Sequence, residues 1–156
     1  MIYNANESAG YRQLKEMALA FVNAMKLGDE PGAYKKEACE TKPSAYGAYH
    51  AAIILSLFGE LQKLDEKTID AWAARINAYQ CGNGYYSNHP ENKNRARGAD
   101  ELDSIWHFTR GMLWTLYVLG RRPEADLGFL EPLLNKERMY SYVKKYDWSN
   151  SWAAGN

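Results

Sequence analysis

Two stretches of the sequence read as copies of one another, and no other feature limits the fold as strongly. Val22-Asn23-Ala24-Met25 is echoed by Ile76-Asn77-Ala78-Tyr79, and Gly28 by Gly82. Gly32-Ala33-Tyr34 is echoed by Gly84-Tyr85-Tyr86, and Leu55-Ser56-Leu57-Phe58-Gly59 by Leu116-Tyr117-Val118-Leu119-Gly120. The offset grows from 54 at the first glycine pair to 61 at the last, so the second repeat carries about seven extra residues in its middle. A period of this size marks one supersecondary unit used repeatedly, each unit burying its apolar face against a neighbour.

The periodicity predicts five helices. The first runs from about Ser8 to Leu27, with Tyr11, Leu14, Ala18, Phe21 and Met25 spaced by three and four. The second runs from Ser44 to about Leu64 and is apolar almost all round between Ala48 and Phe58, as in a helix shielded on most sides. The third follows Asp65 with Ile69, Trp72, Ala73, Ile76 and Tyr79 on one face, and the fourth runs from Asp100 to Gly120 with Ile105, Phe108, Met112, Leu116 and Leu119. A fifth spans about Asn135 to Tyr146. No segment alternates as a strand between hairpin turns, so the fold class is all-α: antiparallel helical hairpins in one domain. The repeats cover about 21–59 and 75–120, with a partial third over 135–156. The connections from Gly28 to Pro43 and from Cys81 to Ala99 are long and polar, whereas Lys63-Leu64-Asp65 and Gly120-Arg121-Arg122-Pro123 are short. Long loops therefore gather at one end of the helix layer, the end where function usually sits.

The second repeat carries Gln80, then Gly84-Tyr85-Tyr86, then Asp103 leading into Trp106 and on to Leu119-Gly120. This pattern resembles the repeat of α/α-toroid proteins, which include terpenoid cyclases, prenyltransferase β subunits and hairpin-toroid lyases and glycoside hydrolases acting on polysaccharides. The resemblance covers roughly 21–120 and implies an incomplete (α/α) ring, since closed toroids use about six hairpins and this sequence offers about two and a half. It departs from the family in three places. Asn83-Gly84 replaces the usual Gly-Gly. Asp100-Glu101-Leu102-Asp103 lacks the adjacent final acids of protonating cyclases, and neither Cys39 nor Cys81 sits in the zinc motif of prenyltransferases. Cyclisation and prenyl transfer are disfavoured accordingly. Completion of the helix layer by self-association, or by a C-terminal continuation, is expected.

Composition narrows the partners. Nineteen basic and nineteen acidic residues cancel, which argues against nucleic acid and anionic membrane. Twelve Tyr and five Trp are many for this length; such rings line ligand clefts, and they also pack helices. Two cysteines make no disulfide framework, three histidines without i, i+4 pairing make no zinc site, and the first residues lack a signal peptide, so a cytoplasmic protein without metal or cofactor is expected.

The candidate site residues lie at the long-loop end. Asp103, His107 and Glu101 are the acid–base candidates for work on a glycosidic bond, with N-capping and helix-dipole complementation as the structural alternative for the acids. His107 has the alternative of a hydrogen-bonded core histidine. Tyr85, Tyr86 and Trp106 offer rings to stack on a sugar, or wedges between helices. Arg97 offers a contact to a uronic acid or phosphate, or is one charge of a solvated loop. The function these favour is binding or acting on a carbohydrate or similar small ligand, or an anionic small molecule; the alternative is a non-catalytic helical protein-interaction module, or a fragment of a larger toroid enzyme.

Overall fold

The computed structural model describes residues 8–88 and 105–150. Every regular element among them is helical, so the chain is all-α: α1 (Ala9–Met25), α2 (Ala45–Leu57), α3 (Glu66–Asn77), α4 (Trp106–Val118) and α5 (Lys136–Lys144), joined partly by 3-10 turns. Contacts divide the chain into two units, Met1–Trp72 and Ala73–Asn156, and the division falls inside α3.

In the first unit, Ser8 caps α1 by accepting from the Tyr11 N–H (3.2 Å), and α1 packs on α2. After α1 the chain turns back on itself: Leu27 N–H donates to the Ala33 carbonyl (2.7 Å) and Lys35 N–H to the Met25 carbonyl (2.9 Å). Gly32, at φ +73°, lets this turn press on the Trp72 indole, where a Cβ would lie 2.5 Å from Cδ1. The Tyr34 ring stacks on the same indole at 5.3 Å. The alanine face of α2 (Ala45, Ala48, Ala51, Ala52) is buried, as expected of its apolar run. That helix stops earlier than periodicity suggested. Gly59 adopts φ +72°, Glu60 N–H donates back to the Leu55 carbonyl (2.9 Å), and a Schellman-type end closes the helix before Leu61–Lys63 continues as a 3-10 turn.

The second unit repeats this local plan. Cys81 N–H donates to the Tyr85 carbonyl (2.8 Å) and Ser87 N–H to the Tyr79 carbonyl (3.0 Å), the same pairing as after α1. Gly120 ends α4 at φ +67°, with Arg121 N–H on the Leu116 carbonyl (2.8 Å), as Gly59 ends α2. Asn83 holds φ +67° beside Gly84 at φ +85°. Asparagine is the side chain that best tolerates this left-handed region, which explains why it stands in place of a first glycine. Gly84 is required for space as well, because a Cβ there would collide with the Asp126 carbonyl.

Gln80 ties this turn to the segment beyond α4. Its amide donates to the Gly84 (3.2 Å) and Ala125 (2.9 Å) carbonyls, and its Oε1 accepts from Ala125 N–H (2.8 Å). Asp65 caps α3 through Thr68 and Asn135 caps α5 through Arg138 N–H (3.0 Å), so α5 opens as α3 does.

Candidate functional site

A concavity lies on the second unit, along α4. Trp106, Arg110, Leu113, Trp114 and Tyr117 fall at i, i+4, i+7, i+8 and i+11 and form one stripe, with Thr109 beside it. Phe129 and Leu130, from the 3-10 turn Gly128–Leu134, supply the facing wall. The groove encloses about 540 Å³. Its position follows from the core beneath: Tyr85, Cys81, Ile105 and Phe129 form a buried cluster on which Trp106 and Leu130 rest. Trp106 meets Phe129 edge to face at 5.8 Å.

Exposure rises along the stripe. Trp106, Leu113 and Leu130 are half-buried, while Trp114 is 53% and Tyr117 77% exposed, although both are aromatic. Arg110 is the one charged side chain among the described lining residues, and its Nη2 donates to His107 Nδ1 at 3.2 Å on the helix rim. A long apolar trough with a single rim cation suits a ligand with an apolar face better than one needing many hydrogen bonds.

The sequence-selected residues divide into three groups. Asp103, Glu101 and Arg97 lie outside the described residues. Trp106 lines the groove and His107 stands exposed one residue on, so these two are brought to the same helix end. Tyr85 and Tyr86 are wholly buried, and neither ring is open to a ligand in this conformation. Tyr85 belongs to the cluster under Trp106. Tyr86 donates its hydroxyl to Asn77 Oδ1 (2.9 Å), and its backbone N–H donates to Thr109 Oγ1 (3.1 Å). Burial, and secondarily the charge of Glu124, push the Tyr86 phenol far above its ordinary value.

Sequence reasoning passed over Arg110, Leu113, Trp114, Tyr117, Phe129 and Leu130. The signal was present: α4 carries a second apolar stripe beside the core stripe Phe108, Met112 and Leu116. A helix with two apolar faces has two neighbours or one open groove.

A smaller cavity of about 250 Å³ lies on the first unit between Phe21, Met25, Lys35, Lys36, His50 and Ile54. Among the described residues no group of three or more His, Cys, Asp or Glu is placed to hold a metal ion, and no helix is long and apolar enough to cross a membrane. No family model, curated protein or solved structure matches the chain.

Proposed function

We propose that this chain is a hairpin-repeat interaction module of the α/α-toroid type that recognises an amphipathic helix in the groove along α4. The observation that carries this reading is the open aromatic stripe itself, above all Trp114 and Tyr117, which face solvent from a helix already buried on its other side. A helix seats its i, i+3, i+4 and i+7 side chains into such a trough, and aromatic residues are the anchors of protein interfaces.

The carbohydrate reading keeps one specific support. Trp106, Arg110 and His107 combine an indole face with two polar groups within two helical turns, the pairing that a sugar ring with a carboxylate would use.

One titration separates the two. The purified chain is titrated with a designed leucine–lysine amphipathic peptide and, separately, with a neutral and a uronic-acid oligosaccharide, following tryptophan emission. The module reading expects a saturable blue shift with the peptide, lost in Tyr117→Glu, and none with the sugars. A saturable response to the acidic sugar, lost in Arg110→Ala and absent with the peptide, reverses the assignment.

A further inference from the structure

A helix with exposed apolar side chains is carried by the chain itself. The N-caps Asp65 and Asn135 lie 70 residues apart, so Met139, Tyr142, Val143 and Tyr146 stand relative to the start of α5 where Ile69, Trp72, Ala73 and Ile76 stand relative to the start of α3. In α3 those four are buried, none more than 7% exposed. Met139 and Val143 of α5 are 49% and 42% exposed, and no residue of α5 is buried. Met139 and Val143 are thus open where Ile69 and Ala73 are buried, while Tyr142 and Tyr146 stay half-buried against one another.

We infer that α5 of a second copy of this chain docks into the α4 groove, and that the contact is reciprocal about a two-fold axis; this rests on reading the groove as a helix-binding site. Ridge and groove adjoin, because the 3-10 turn that supplies Phe129 and Leu130 is also the element on which α5 packs. A surface with both halves of one contact is self-complementary, the requirement of a two-fold interface. The lengths agree, since nine residues of α5 span about 14 Å and the groove from Trp106 to Tyr117 about 17 Å.

Charge agrees as well. The exposed surface of α5 carries Lys136, Arg138 and Lys144 against one acid, Glu137, and the turn that builds the far wall of the groove, with the residues leading into it, carries the exposed acids Glu124, Asp126 and Glu131. Specific dimers cover about 1,200–2,000 Å² in total, which the two ridge-and-groove contacts must share between them.

The test is the mass in solution by light scattering, for the wild type, Trp114→Glu, Val143→Glu and an equimolar mixture of the two variants. Both substituted side chains are largely exposed, and far-UV circular dichroism checks that each variant keeps its helices. The expected wild type is a dimer of the 17.8 kDa chain. Each variant alone is expected as a monomer, and the mixture as a dimer again, because one intact groove then meets one intact α5. A monomeric wild type, a dimer indifferent to both substitutions, or a mixture that stays monomeric overturns the inference. The peptide titration is repeated on Val143→Glu, whose groove is intact and left empty, so failure of the dimer and failure of the groove reading are told apart.

Discussion

Gln80 and Ala125, 45 residues apart in sequence, are joined by a pair of hydrogen bonds in opposite directions, amide to carbonyl at 2.9 Å and N–H to Oε1 at 2.8 Å. A primary amide is the side chain that can both donate and accept in one plane, so glutamine closes the pair where glutamate would lose its donors. The bond holds the segment after α4 against the turn after α3, and that segment runs on into Phe129 and the groove wall. Gln80→Ala is expected to lower stability by about 1–2 kcal/mol in urea denaturation. An unchanged midpoint would mean that water replaces the pair at no cost.

Gly32 and Gly84, one in each repeated turn, differ from the other left-handed glycines in having no room. Gly84→Ala places a Cβ into the Asp126 carbonyl, whereas Gly28→Ala at φ +67° meets nothing within 4 Å. The expected loss is about 1 kcal/mol for Gly28→Ala, from backbone strain alone, and about 3 kcal/mol or more for Gly84→Ala. Equal losses would show that the close approach at Gly84 relaxes freely.

Thr109 holds the second turn from the α4 side, accepting from Tyr86 N–H at 3.1 Å and donating to the Tyr86 carbonyl at 3.2 Å, all buried. Thr109→Val keeps the shape and removes both bonds, leaving a buried N–H without its partner. A loss of about 2 kcal/mol is expected in equilibrium unfolding. Thr115→Val serves as comparison, since Thr115 Oγ1 donates only to the Gly111 carbonyl within its own helix.

Much of the local plan was legible in the sequence, and the reason is specific. Gly59 and Gly120 sit in left-handed helix ends that few other residues adopt, so the echo of Leu-x-x-x-Gly had a geometric meaning before any coordinates existed. The all-α class followed from spacing in the same way. The stop of α2 at Leu57 was less visible, because Leu61 and Leu64 continue the apolar spacing while Gly59 has already broken the backbone. The groove was missed for a physical reason too. Spacing identifies which residues share a face, but it cannot say whether a second apolar face is covered, and Trp114 and Tyr117 are open because nothing described lies over them. Tyr85 and Tyr86 show the converse: their rings suit a ligand platform by type, yet the turn that Gly84 permits folds them inward.

Alkaline pH provides a further check on that inward packing. The fold holds the Tyr86 phenol protonated far above the ordinary tyrosine value, first by burial and then by Glu124, and burial raises Tyr34 in the same direction. An unfolded tyrosine loses its proton near pH 10, so these groups contribute their full stability below that pH and lose it as pH rises toward their folded values. Stability is expected to fall steadily above about pH 10. Tyr86→Phe should be less stable than wild type at neutral pH by about 1 kcal/mol, for want of the bond to Asn77, and should lose less on going alkaline. A wild-type curve flat through this range would contradict the burial of both phenols.

The reading as a whole depends on whether the open stripe of α4 is a recognition surface. A photo-crosslinking side chain at position 117, with position 74 on the exposed face of α3 as control, tests this most directly. Irradiation of the purified chain followed by mass spectrometry is predicted to join position 117 to residues 136–144 of a second chain, with little product from position 74. Equal yields at the two positions, or products from position 117 spread without preference over the chain, would contradict it.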